Sequence, residues 1–125
     1  IAIDKTGKIP STHHLLDNTQ PTILVSEQKN EPPYMAFDFS QDIIPQLLSK
    51  LYDLKIQSII VEGGQNTLER FIAGNYFDEI QVEIGSYTCG QGTPAPVFAQ
   101  DGLRQEVQRI GDGTFVHYYK QHGAF

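Results

Sequence analysis

An α/β fold with a mostly parallel central sheet, flanking helices and a C-terminal antiparallel hairpin is predicted by three features of this 125-residue chain. Short β-branched runs alternate with helix-period apolar stripes between residues 22 and 84, the pattern of strand–helix–strand units joined by right-handed crossovers. The run Ser58 to Val61 is continuously apolar after its serine, as expected of a central strand covered on both faces. Beyond residue 102 the pattern changes to two long strand-like segments around Gly111-Asp112-Gly113, a strong hairpin signal.

Ile1 to Ile3 reads as a strand that stops at the turn-forming Asp4-Lys5-Thr6-Gly7, and the polar stretch Pro10 to Gln20 reads as loop. Thr22 to Ser26 is β-branched and predicts a buried strand. Glu27 to Pro33 is a polar connection, followed by a short strand within Tyr34 to Phe39. Asp42 is a favourable N-cap, and Pro45 falls in the first helical turn, where its missing N–H costs little. Ile44, Leu47, Leu48, Leu51 and Leu54 then form the apolar stripe of a helix, with Lys50 and Lys55 near its negative end. Leu68, Phe71 and Ile72 give a second helix its buried face, and Gly74-Asn75 ends it. Ile80, Val82 and Ile84 alternate with Gln81 and Glu83 as in a strand. The glycine-rich stretch 85–102 is a long loop, and Leu103 to Ile110 and Thr114 to Lys120 are the strands of the terminal hairpin.

Composition removes several function classes. Nine Lys plus Arg against fifteen Asp plus Glu give a net charge of −6, which disfavours non-specific nucleic-acid binding, since that needs a basic face. The absence of a long apolar run disfavours a membrane span. One cysteine, Cys89, allows no internal disulfide and no thiolate zinc cluster. The chain is expected to be soluble and cytoplasmic. It opens on Ile1 without a methionine, in what reads as a strand interior, so it is expected to be a piece of something longer.

The chemistry concentrates at Glu62-Gly63-Gly64. Free backbone N–H groups at a helix start, reached past glycines, hold phosphate oxygens, and the helix dipole adds to the attraction. Strand ends in open α/β sheets are also where ligands collect. A plain reading is a tight strand-to-helix turn. Neither the three-glycine dinucleotide fingerprint nor the P-loop motif is present. Glu62 is placed to accept hydrogen bonds from a ligand, or else to cap the helix. Thr67 could donate to a phosphate or bond its own backbone, and Ser26 is a weaker candidate at another strand end. Adjacent His13 and His14 lack ligands at metal spacing and read as surface residues. His117 reads as structural. Cys89 has no evident base beside it, and Asp78-Glu79 sit on opposite faces of a strand start. No metal site and no catalytic side chain is predicted.

The segment Ile59-Ile60-Val61-Glu62-Gly63-Gly64, then Leu68, Phe71, Ile72 and Phe77-Asp78-Glu79-Ile80, resembles the C-terminal reductase domain of the bifunctional riboflavin biosynthesis protein, which has a dihydrofolate-reductase-like fold. Ile1 to Asp4 with Ile9-Pro10, Pro21 to Ser26 and Gly90-Gln91-Gly92 resemble further stretches of that family. The resemblance implies NADPH-dependent reduction of 5-amino-6-(5-phosphoribosylamino)uracil to its ribitylamino form. It implies that Glu62 contacts substrate. It also implies that Ser26, Gly64, Gln65, Asn66, Thr67, Leu68, Glu69 and Arg70 contact the cofactor. Gly85 stands where the family usually has proline. The family's first reductase strand and helix and its zinc deaminase signatures do not occur in the chain, so residues 1–125 are expected to be the C-terminal part of one reductase domain, an incomplete domain inactive alone. Uncovered edges suggest a homodimer, with no nucleic-acid or membrane partner. The rival expectations are another reductase of the same fold, or a non-catalytic nucleotide- or phosphate-binding module.

Overall fold

The computed structural model describes residues 1–121 and contains two compact units, Ile1–Ile59 and the part from Ile60 onward. Each unit carries one three-stranded sheet and one α-helix.

In the first unit, strands β1 (Ala2–Ile3), β2 (Leu24–Ser26) and β3 (Tyr34–Ala36) form a parallel sheet in that order. Ala2 pairs with Leu24, and Leu24 with Tyr34. The connections are irregular, with one 3₁₀ turn at His14–Leu16. β2 is central, and Leu24, Val25 and Ser26 are fully buried; a strand flanked on both edges and covered on both faces must be apolar, and this one is nearly so. Asp4 closes the turn after β1 by accepting from the Lys8 and Ile9 N–H groups at 2.9 and 3.0 Å. Those bonds, that to Ile9 foremost, hold its carboxyl below the usual range.

Helix α1 (Ile43–Asp53) starts as its sequence dictates: Asp42 accepts from the Ile44 N–H at 3.1 Å. Gln46 reinforces the entry by donating to the Asp38 and Asp42 carbonyls and accepting from the Asp38 N–H. Ile43, Ile44, Leu47 and Leu51 are buried. Leu54 continues the apolar period but lies outside the helix as its C-cap and is 49% exposed. Removing the cap in Asp42→Ala should cost about 1 kcal/mol, read as a lowered denaturation midpoint with an unchanged denaturant slope.

In the second unit, helix α2 (Gln65–Ala73) precedes β4 (Glu79–Ile84), β5 (Leu103–Ile110) and β6 (Gly113–Lys120). The sheet order is β4-β6-β5, all antiparallel. Alternation sets the two faces: Ile80, Val82, Val116 and Tyr118 occupy one, and Glu79, Gln81, His117 and Tyr119 the other. Val116 and Tyr118 are buried, and Phe98 meets Tyr118 edge-on at 5.0 Å. α2 ends at Gly74, and Asn75 takes the left-handed conformation at φ 57°. Lys120 fastens this corner by donating to the Asn75 carbonyl at 2.7 Å, its ammonium 4.4 Å from the Phe77 ring centre.

The α/β class agrees with the sequence, as do both helices and the hairpin. Three details differ. Residues 58–61, expected to be a central parallel strand, have no strand structure, and Ile60 is 89% exposed. A strand exists through its ladder, and neither sheet pairs with this backbone. The parallel strands are joined by irregular segments instead of helical crossovers. The hairpin does not extend the parallel sheet but builds a separate one, with β4 on the far side of β6.

Candidate functional site

The Glu62-Gly63-Gly64 turn runs directly into α2. Gly64 is the N-cap at φ −68°, ψ 161°, and no side chain caps the helix. Its carbonyl accepts from the Thr67 and Leu68 N–H groups at 3.1 and 3.4 Å. The N–H groups of Gln65 and Asn66 have no protein acceptor among the described residues, as first-turn donors must unless a cap or ligand meets them. Nothing lies within 4 Å of where a Cβ on Gly64 would be, and the nearest atom to a Cβ on Gly63 would be Thr67 Cβ at 3.7 Å. The approach to the helix start is therefore open.

The side chains around that start divide by what they already do. Gln65 Nε2 donates to Glu69 Oε1 at 2.7 Å, a pairing one helical turn apart. Thr67 Oγ1 has no protein hydrogen-bond partner among the described residues, so the hydroxyl is not spent on its own backbone. Glu62 and Arg70 are exposed. Leu68 is half-buried. Gly64, Gln65, Asn66, Thr67, Leu68, Glu69 and Arg70 thus form one short, continuous surface with Glu62 at its entry.

Ser26 lies in the first unit and is fully buried. Its hydroxyl donates to the Lys5 carbonyl at 3.2 Å and accepts from the Gln28 and Lys29 N–H groups at 3.3 Å. These bonds close the turn after β2. Open clefts of about 750 Å³ near Leu15, Lys29 and Tyr34, and of about 470 Å³ near Ile72, Phe77 and Phe98, include none of residues 62–70.

One cluster was not anticipated from sequence. His117 Nδ1 lies 2.7 Å from Glu79 Oε1, which also accepts from Gln81 Nε2 at 3.0 Å. Tyr119 stacks against the His117 ring at 6.0 Å. Hydrogen bonding from His117 holds the Glu79 carboxyl below its usual range, whereas desolvation and the Glu79 charge push the Tyr119 phenol up. The only sequence signal was the period-two placement of these residues in two strands whose pairing is non-local. Because the folded Glu79 carboxyl is depressed, its contribution is present above the unfolded value of about 4.3 and is lost as pH falls through the lower folded value. Glu79→Gln should flatten that part of the acid limb in a thermal-midpoint series.

Among the described residues no group of His, Cys, Asp and Glu side chains is placed to hold a metal, Cys89 is exposed, and no helix is long and apolar enough to cross a membrane.

Fold and helix start together define a mixed α/β domain with an open, glycine-flanked N-terminus on its second helix. The chain belongs to the RibD C-terminal domain family, which it matches over residues 1–116. It is 28% identical over 100 residues to the riboflavin biosynthesis protein RibD of Aquifex aeolicus, an alignment covering 74% of this chain and 28% of the relative. Its fold matches that of RibD from Acinetobacter baumannii (form 2) with a TM-score of 0.73 and 17% identity, over 95% of this chain and 36% of the other. It likewise matches the diaminohydroxyphosphoribosylaminopyrimidine deaminase/5-amino-6-(5-phosphoribosylamino)uracil reductase of Thermotoga maritima with a TM-score of 0.74 and 18% identity, again over 95% and 36%. The chain therefore spans about a third of the length of these relatives.

Proposed function

We propose that this chain is the C-terminal part of a reductase domain that reduces 5-amino-6-(5-phosphoribosylamino)uracil to its ribitylamino product with NADPH. The observation that carries the reading is the uncapped start of α2, with the Gln65 and Asn66 N–H groups and the Thr67 hydroxyl unclaimed among the described residues. This start lies within the residues that match the RibD C-terminal domain family, in the segment that the resemblance described above implies contacts the cofactor.

The residues fit a phosphorylated nucleotide. Two free N–H donors, a hydroxyl and the positive end of the α2 dipole receive phosphate oxygens without a cationic side chain, which suits a chain of net charge −6. Arg70 adds the one cation of the segment. Glu62, exposed beside the turn, accepts hydrogen bonds from substrate hydroxyl or N–H groups and fixes the sugar's orientation. When bound, NADPH supplies the hydride. The protein contributes binding, orientation and exclusion of water, and no side-chain nucleophile is required.

The test is the loss of reduced-nicotinamide absorbance when the intact reductase is mixed with the ribosylamino pyrimidine phosphate. Turnover supports the proposal. NADPH binding without turnover of this substrate would point to another reductase of the same fold, and no NADPH binding would leave only a phosphate-binding module. The 125-residue chain by itself is expected to show no turnover.

A further inference from the structure

We propose that the open cleft of about 750 Å³ in the first unit is a binding site for a small organic monocarboxylate, its carboxylate on Lys29 and Tyr34 and its apolar body on Ile9, Leu15 and Leu16. Every residue that lines the cleft lies between Ile9 and Tyr34, so the cleft shares none with the α2 start. Its volume is that of a small-molecule site, and its walls join an apolar surface to a few convergent polar groups, as such sites do.

The polar end is built around the Lys29 ammonium. It donates to the Gly7 carbonyl at 3.0 Å and to the Tyr34 hydroxyl oxygen at 3.5 Å, and lies 4.4 Å from the Tyr34 ring centre. An ammonium has three N–H donors, so one is left over. Tyr34, accepting from Lys29, keeps its own O–H proton to donate. Two donors, one of them charged, therefore converge and match the two oxygens of a carboxylate. Gly7 seats the lysine there. It takes the left-handed conformation at φ 66°, and a Cβ on it would fall 2.6 Å from Lys29 Cε, so the close passage of the lysine stem depends on glycine.

Charge selects an anion. No Asp or Glu lines the cleft, and Lys29 has no carboxylate oxygen within 4 Å among the described residues. Asp4 accepts from the Lys8 and Ile9 N–H groups and Asp17 from Thr19, so neither pairs directly with the ammonium. The cleft thus offers a single unpaired cation in a chain of net charge −6. One positive charge and two donors suit a monocarboxylate better than a phosphate ester, whose charge of about −2 and three oxygens call for more.

The other end is apolar. Ile9 and Leu16 are half-buried, and Leu15, on the 3₁₀ turn His14–Leu16, is 41% exposed. A ligand's hydrocarbon body resting on these three side chains removes their surface from water, which a bare anion would leave wet.

Amide-resolved NMR titration of the full chain with phenylacetate tests the proposal, with phenylacetamide as the uncharged body, acetate as the bare carboxylate and inorganic phosphate as the rival anion. Phenylacetate is expected to give saturable shifts at the amides of Ile9, Leu15, Leu16 and Lys29, with a Kd on the order of 1 mM. Phenylacetamide, acetate and phosphate should each bind at least about fivefold more weakly. Lys29→Met, which keeps the stem and removes the charge, should weaken phenylacetate by about fivefold or more, and Tyr34→Phe by about twofold. Lys29 is exposed, so unchanged amide positions elsewhere should show both the wild type and this variant folded; the comparison of acid with amide needs no variant at all. Absence of saturation at about ten times that concentration, equal binding of acid and amide, phosphate binding as tightly as phenylacetate, or an unaltered Kd in Lys29→Met would each overturn the proposal.

Discussion

Gly64→Asp is expected to weaken NADPH binding to the intact reductase by at least about tenfold while leaving the fold unharmed. The two halves of this result have separate causes. Gly64 has ordinary helical-cap dihedrals and open space around its Cβ position, and aspartate is among the best N-cap residues, so α2 should gain slightly in stability. The same carboxylate takes up the free first-turn N–H groups and sets a negative charge where phosphate would sit. Titration calorimetry against NADPH, paired with thermal melts, separates them: weaker binding with an equal or higher midpoint is the expected outcome. Unchanged affinity would remove the α2 start from the cofactor site. Gly64→Ala, which adds bulk without charge or cap, should weaken binding much less.

Leu24→Ala is expected to have the largest effect on stability, about 3 kcal/mol. Leu24 has 0% exposure in the central strand of the parallel sheet, paired with Ala2 on one side and Tyr34 on the other. Its surroundings are held by two ladders and collapse little, so both the lost transfer free energy and the cavity count against the variant. Urea denaturation checks this. Val107→Ala, at a 60% exposed position on the outer strand, should by contrast change stability by less than about 0.5 kcal/mol.

The elements legible in sequence were those whose signals are local. α1 carried its own start in Asp42, its buried face in Ile44, Leu47 and Leu51, and its reinforcement in Gln46, all within one short segment. The hairpin carried its turn in Gly111-Asp112-Gly113, with Gly111 at φ 62°. The Glu-Gly-Gly turn was visible because glycine and an uncapped helix start are adjacent. What escaped depended on partners distant along the chain. An apolar run such as residues 58–61 states a demand for burial, but only a neighbouring backbone makes it a strand, and none is supplied by either sheet. Leu54 fits the helical period, yet the chain leaves the helix there and Lys55 turns to φ 64°. The Glu79–His117 pair joins residues 38 positions apart and follows from the β4–β6 register, which no local pattern encodes. The three backbone groups that engage the Ser26 hydroxyl follow from the turn after β2, which its residue type alone does not show.

The extended, unpaired segment ahead of α2 has a practical consequence for handling the protein. Ile56, Ile59 and Ile60 are all exposed, and from Ile56 to Val61 the chain has no charge and no proline. Mostly β-branched, neutral and outside both sheet ladders, this stretch has the composition of an aggregation nucleus. Natural sequences interrupt such stretches with a gatekeeper charge. Ile60→Lys supplies one, and light scattering during concentration should show a later onset of aggregation for this variant than for the wild type.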